Sequence, residues 1–425
     1  MTKLKDDSLC IHGGYKAKSG ESQVLPTHQS TTYRYYDPDK LADLFDLKEE
    51  GYIYSRLGNP TVSAFEKKMA TLEKGVGAVA FSSGQAAVLS SILNICKKGD
   101  HILASSKLYG GTITLLKSTL SNFGIKVTLI DPNLSQKEIS QNIQKNTKVI
   151  FGETIGNPGL NVLDFEKFSK ISKNNNIVLI VDNTFATPYL FKPLEHGADI
   201  VVHSATKYID GHAVALGGVV IDSGNFNWEK SDKYPSLTEP DESYHGIVFN
   251  KKFGKKAYLT KLRVKILRDL GNTLSPQNAN LLHRGLETLH LRMDRHSENA
   301  LKVAKFLQKH PKITWVNYPL LETHETYKLA KKYLEKGGSG VLSFGIKGKV
   351  KSAKKFMKSI DMISLVTHVG DLRTSVLHPA STSHRQLSDE ELKECGVKKE
   401  LIRLSVGIES SDDIINDLKN ALKEV

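Results

Sequence analysis

Ala198-Asp199-Ile200-Val201-Val202-His203-Ser204-Ala205-Thr206-Lys207-Tyr208 is the stretch that decides the fold. Its first half is a short β-branched run, the pattern of a strand buried on both faces. Its second half delivers an amine, Lys207, beside two hydroxyls, Ser204 and Thr206, just past the strand's C-terminal end. Upstream, Ile177-Val178-Leu179-Ile180-Val181 is a second such run, and it ends in Asp182-Asn183-Thr184. Two buried strands therefore bring a carboxylate and an amine to one edge. In sheets of parallel strands that edge is where ligands bind. Taken singly, Lys207 reads as a solvated lysine and Asp182 as a turn residue. Taken together, they fit pyridoxal phosphate, which needs a Schiff-base lysine, a carboxylate for its ring nitrogen and hydroxyls for its phosphate.

Outward from this stretch the chain alternates. Helix-like Val62 to Glu73 leads to an apolar strand, Gly77 to Phe81, and a helix from Gln85 to Cys96 leads to a strand, Asp100 to Ser105. A helix over Thr112 to Asn122, a strand Lys126 to Ile130, a helix after Ser135, a strand Lys148 to Glu153 and a helix Phe165 to Asn174 follow. Such βα alternation predicts a mostly parallel sheet covered by helices. After Gly217-Gly218-Val219-Val220-Ile221 the pattern loosens, and residues 223–260 read as a long surface insertion. A helix follows Ser275-Pro276, with Leu281, Leu282, Leu286 and Leu289 as its core stripe. We therefore expect an arm over 1–60, a large domain over 61–275 and a smaller C-terminal α/β domain over 276–425. The arm has little periodicity, so it is expected to lie on another subunit.

Composition narrows the function. A chain of 425 residues is too long for one core. No apolar run is long enough to cross a bilayer, and Met1 to Asp7 lacks the apolar centre of a signal peptide. Cys10, Cys96 and Cys395 are far apart and odd in number, which makes reduced thiols the plain reading and gives no metal site. The net charge of +13 raises nucleic acid as a partner. The lysines are scattered along the chain without interleaved aromatics, which fits solvated helix faces better. Neither a nucleic-acid nor a membrane partner is expected.

Several further stretches carry a resemblance. They are YSRLGNPT at Tyr54–Thr61, FSSGQAAV at Phe81–Val88, LYGGT at Leu108–Thr112, ETIGNP at Glu153–Pro158, SATKYIDGH from Ser204, HPASTSH at His378–His384 and IRLSVGIE at Ile402–Glu409. Across nearly the whole chain the sequence resembles the Cys/Met-metabolism pyridoxal-phosphate enzymes, the cystathionine γ-synthase-like group. The resemblance implies an α/β, aspartate-aminotransferase-like fold (fold type I) and a homo-oligomer, a dimer of dimers; the reduced thiols point to the cytoplasm. The insertion around Pro240 to Gly246, the stretches Leu267–Gly271 and Ser275–Ala279, and HPASTSHRQLS resemble its O-acetylhomoserine sulfhydrylase branch. That branch implies γ-replacement: O-acetyl-L-homoserine plus sulfide giving L-homocysteine plus acetate. Cystathionine γ-synthase and methionine γ-lyase stay open as alternatives, because one fold hosts several reactions.

The resemblance also implies roles. Lys207 holds the cofactor as a Schiff base and is the catalytic base, Asp182 pairs the ring nitrogen, and Tyr109 stacks on the ring and assists proton transfer. Thr184, Ser204 and Thr206 belong to the cofactor site. Gly84 and Gln85 open a helix whose N–H groups suit a phosphate; the family usually has methionine where Gln85 stands. Asn157 lies near the ring oxygen and the substrate carboxylate. Tyr54 and Arg56 reach across a dimer interface and bind the phosphate of the neighbouring subunit's cofactor, which an arginine fork suits. Arg403, a charge inside an apolar run, needs a partner, and the substrate carboxylate is the one implied. His368 departs from the family's serine or asparagine in a substrate-contacting loop. His378 and His384 could suggest a metal by spacing, but no acidic or cysteine ligand adjoins them, so a structural or substrate-loop role is read.

Overall fold

The computed structural model describes residues 4–382, 385, 392 and 397–425. Seven strands form the larger sheet: β1 (Gly77–Phe81), β2 (His101–Ser105), β3 (Lys126–Ile130), β4 (Thr147–Glu153), β5 (Val178–Asp182), β6 (Ile200–Ser204) and β7 (Gly218–Asp222), in the order β1-β7-β6-β5-β4-β2-β3. The pairs β2–β3, β2–β4, β4–β5 and β5–β6 are parallel. Strand β7 alone runs against its neighbours, antiparallel to both β6 and β1. The physical reason is the connection: residues 205–217 pass from β6 to β7 without a crossover helix, and a parallel return needs one. The helices sit where the periodicity placed them, over Pro60–Glu73, Gly84–Leu93, Gln136–Ser140 and Phe165–Asn175. The expected helix at Thr112–Asn122 runs as three abutting helical segments from Gly110 to Asn122.

A second sheet of five strands follows: β8 (Ile313–Asn317), β9 (Val341–Ile346), β10 (Ser364–Leu365), β11 (Ser375–Leu377) and β12 (Leu401–Ser405), in the order β10-β11-β12-β9-β8. The stretch after Ser275 is two helices, Pro276–Glu287 and Leu289–Lys309. Leu282, Leu286 and Leu289 are fully buried, and half-buried Leu281 packs beside them, so that stripe is core.

Two expectations are corrected. Residues 223–260 are not a solvated insertion: Trp228, Tyr234, Leu237, Tyr244, Phe249 and Tyr258 are buried in the core on one face of the larger sheet. The segment is broken into short helical turns, so its buried aromatics have no helical period to read. Nor is the whole N-terminal stretch without a seat on its own chain. Helix Asp6–His12 buries Cys10, and Asp6 pairs with Lys192 at 2.7 Å and Lys336 at 3.1 Å. The carbonyl of Leu25 accepts from Asn280 at 2.8 Å.

Candidate active site

The C-terminal ends of β4, β5 and β6 converge with the N-terminus of helix Gly84–Leu93 and with Arg403 from the middle of β12, around a cavity of about 350 Å³. Its lining includes Gly84, Gln85, Tyr109, Asn157, Asp182, Thr184, Ser204, Thr206, Lys207, His368 and Arg403. Every expected site residue except Tyr54 and Arg56 is therefore in one place. Those two lie on the surface. Tyr54 is 41% exposed, the Arg56 guanidinium stacks 5.3 Å from the Tyr54 ring, and Arg56 Nη1 donates to the Arg268 carbonyl at 2.6 Å. His378 is buried outside the cavity, where its ring bonds Ser381 Oγ at 2.9 Å and the Lys399 carbonyl at 2.7 Å. His384 and Cys395 lie outside the described residues. Among the described residues no cluster of three His, Cys, Asp or Glu side chains could hold a metal ion.

The electrostatics follow from burial. Register pairs Glu153 of β4 with Asp182 of β5, so two buried carboxylates stand side by side. Burial pushes both above the usual carboxylate range, and the charge of Asp182 pushes Glu153 further. Backbone N–H groups oppose this: Thr184 N donates to Asp182 at 2.9 Å, and Tyr109 N donates to Glu153 at 2.7 Å. On the basic side, burial and then the charge of Arg403 lower Lys207 to about 8. Burial lowers Arg403 to about 10. Its Nη1 and Nη2 make long contacts, 3.4 Å to Asn157 Oδ1 and 3.5 Å to the His368 carbonyl, and its Nε has no partner among the described residues. A buried guanidinium held this loosely has donors left for an anion.

The backbone around Lys207 is braced. The Thr206 hydroxyl and amide bond Gly217, and Thr184 Oγ1 accepts from Ser204 N at 2.8 Å. So Thr184 and Thr206 spend their hydroxyls partly on holding the lysine loop. Gly84 is required by close approach: a Cβ there would lie 2.5 Å from the Ser204 Cβ. Gly218 likewise lets the Ser83 carbonyl come near. The helix N-terminus is thus pressed against the Ser204–Thr206 turn, and together they make an anion cradle. A phosphate at the cradle, a base at Lys207 and a ring nitrogen at Asp182 match the donors and acceptors of pyridoxal phosphate. Sequence reasoning gave no role to Glu153, although its position at the end of an apolar strand level with Asp182 was a readable signal.

A profile described as Cys/Met metabolism PLP-dependent enzyme matches residues 7–423. The O-acetyl-L-homoserine sulfhydrylase of Leptospira meyeri is 47% identical over 99% of this chain and 97% of its own. The homocysteine synthase of Schizosaccharomyces pombe is 46% identical over 98% of each. A Campylobacter jejuni crystal structure assigned to O-acetylhomoserine (thiol)-lyase superposes with a TM-score of 0.96 at 41% identity, covering 99% of this chain and 100% of that one; it contains N'-pyridoxyl-lysine-5'-monophosphate. By profile, full-length identity and fold together, the chain belongs to the Cys/Met-metabolism PLP-dependent enzymes.

Proposed function

We propose that this chain is an O-acetylhomoserine sulfhydrylase, replacing the acetyl ester of O-acetyl-L-homoserine with sulfide to give L-homocysteine and acetate. The observation that carries the reading is full-length similarity to relatives named O-acetyl-L-homoserine sulfhydrylase and homocysteine synthase, joined to a cavity that sets a loosely held arginine beside a lysine of depressed basicity. Bound pyridoxal phosphate supplies a carbonyl for the substrate amine and a ring that stores the electron pair released at Cα. The protein does the rest. Arg403 takes the substrate carboxylate and Asn157 steadies that arginine, so the amino acid is oriented with Cα toward Lys207. Asp182, held by the Thr184 amide, would pair with the cofactor's ring nitrogen. Lys207, lowered to about 8, has a usable neutral fraction near neutrality and removes the Cα proton. Tyr109, which lines the cavity, would lie against the cofactor's ring and assist as acetate leaves.

The same proposal covers assembly and location. Residues 30–57 hold exposed apolar side chains, Tyr36, Phe45 and Tyr54. We read this stretch as the part of the 1–60 arm that meets a neighbouring subunit and completes its phosphate site with Tyr54 and Arg56. A dimer of dimers in the cytoplasm follows from the family pattern, with the large domain over 61–275 and the smaller one over 276–425. No helix among the described residues is long and apolar enough to cross a membrane. The test is a product assay with O-acetylhomoserine against O-succinylhomoserine, each with sulfide or cysteine. Homocysteine from the acetyl ester and sulfide is the expected result. Cystathionine as the main product would replace the proposal with cystathionine γ-synthase.

A further inference from the structure

Glu153 closes β4 beside its register partner, Asp182, at the end of β5. Val149 and Phe151 pack with Val178 and Ile180 on one face of the larger sheet. Side chains alternate along a strand, so Glu153 and Asp182, two residues further on, point to that same face. Both line the cavity. Different segments hold the two carboxyls. Asp182 accepts from the Thr184 amide at 2.9 Å, within its own turn. Glu153 reaches across: its Oε1 accepts from Tyr109 N at 2.7 Å, and the Asn157 amide also bonds its carboxyl. One buried side chain thus ties the loop after β2 to the turn after β4. The two segments are pressed together, because a Cβ on Gly156 would lie 2.5 Å from the Lys107 carbonyl oxygen. Each segment carries a group of the site. The Tyr109 ring folds over Gly111, where a Cβ would lie 2.5 Å from Tyr109 Cε1. Asn157 Oδ1 accepts from Arg403 Nη1 at 3.4 Å.

We propose that Glu153 is a positioning residue: as a neutral, proton-bearing carboxyl it fixes Tyr109 and Asn157 by their backbones and leaves Asp182 as the one anion for the cofactor's ring nitrogen. The inference rests on the roles proposed above for Tyr109, Asn157 and Arg403. It does not depend on which group leaves or which nucleophile enters, so a different product in the assay with the two esters leaves it standing.

Two buried carboxyls side by side resist ionising together. The neighbours decide which one keeps the proton. The Thr184 hydroxyl and amide and, after them, the charge of His203 all favour the Asp182 anion. Against the Glu153 anion stand burial and then the charge of Asp182 itself, opposed by the two amides. The other ionisable side chains lining the cavity are Tyr109, Lys207, His368 and Arg403. Of these, His368 is neutral, lowered to about 4 by burial and then by the charge of Lys207. A bound ring nitrogen adds its cation on the Asp182 side and widens the difference. A neutral carboxyl still accepts hydrogen bonds, so Glu153 keeps hold of both segments without its charge. Ionised, it would set a second anion beside a single ring cation.

The experiment uses holoenzyme and two readouts: the pH midpoint of the yellow chromophore's colour change, and the binding of L-norleucine, an amino acid with no leaving group, read from the chromophore's spectral shift. Glu153→Gln is neutral and keeps an acceptor at the same reach. It is expected to leave the midpoint in place and to bind norleucine within about threefold of wild type. Glu153→Leu has no acceptor, and its norleucine affinity is expected to fall about tenfold, the scale of one buried hydrogen bond. Glu153→Asp draws the carboxyl back by one methylene and should weaken binding alike, which serves if the Leu chain does not fold. A midpoint lowered by about one unit or more in Glu153→Gln would mean that an anion had been removed from beside the chromophore, and overturns the neutral carboxyl. Infrared difference spectra of ¹³C-glutamate-labelled wild type against Glu153→Gln should show a protonated carboxyl band; its absence overturns the same point. Wild-type norleucine affinity in the Leu or Asp variant overturns the positioning role. Arg403→Leu that binds norleucine like wild type overturns the roles on which the inference rests, and the inference with them.

Discussion

Lys207 and Arg403 show how much one buried side chain depends on its neighbours. The ammonium of Lys207 loses solvation on burial and faces the charge of Arg403, and both favour the neutral amine. The cofactor-free chain should therefore capture pyridoxal phosphate with a rate that rises tenfold per pH unit and levels near pH 8. Stopped-flow absorbance reads this directly, and a midpoint near the unperturbed 10.5 would show that the amine is solvated after all. Lys207→Ala should remove the yellow chromophore and nearly all turnover. Arg403→Leu should keep the chromophore but raise KM for the amino-acid substrate. A charge-assisted hydrogen bond is worth about 1.5–3 kcal/mol, or roughly ten- to a hundred-fold in KM. Poor folding with unchanged KM would instead make Arg403 a structural cation.

At the scale of elements, the pairing of β6 with β7 creates a pH-sensitive seam. Asp199, just before β6, and Asp222, at the end of β7, are both held near 7, by burial first of all; Asp199 raises Asp222 further. Asp199 accepts from Leu179 N at 2.8 Å, and Asp222 accepts from Gly224 N at 2.8 Å. The native carboxyls stay protonated where the unfolded ones, near 3.8, have already ionised. The folded state thus binds more protons, and this stabilisation is full below about 3.8 and lost as pH rises through about 7. Asp199→Asn keeps an acceptor for Leu179 N and never ionises. Its melting temperature should exceed wild type's at pH 8 and converge on it toward pH 4. Each tenfold difference in proton affinity between the folded and unfolded carboxyl is worth about 1.4 kcal/mol of that gap. Equal melting temperatures at pH 8 would mean that water reaches the carboxylate.

The whole molecule makes the site from distant parts. Lys207 and Asp182 come from the larger sheet, while Arg403 and His368 come from the second sheet and its loop. Tyr54 and Arg56 lie outside their own chain's cavity, the arrangement that the proposed assembly requires. Mixing Arg56→Ala with Lys207→Ala chains, each inactive alone, should restore part of the activity once subunits exchange, because some sites then hold both intact residues. Confirmed exchange without recovered activity would place both residues in one chain's site.

The large sheet and its ligand edge are written in the order of the residues. Buried parallel strands announce themselves as short β-branched runs, and the polar residue after each run lands at one edge, so Asp182, Ser204 and Lys207 were legible together. Periodicity also located the Leu282–Leu289 stripe. What stayed unread has a common cause. Trp228, Tyr234 and Tyr258 are buried from short turns, where no repeat marks the inward side. The pairing of Glu153 with Asp182 is a matter of register. The 3.3 Å contact between Lys207 and His368 joins residues far apart in the chain. Local patterns encode which residues face inward along one element. Only the packing of elements decides which of those residues meet, and here that packing sets the basicity of the lysine, the loose hold on the arginine and the neutral histidine beside them.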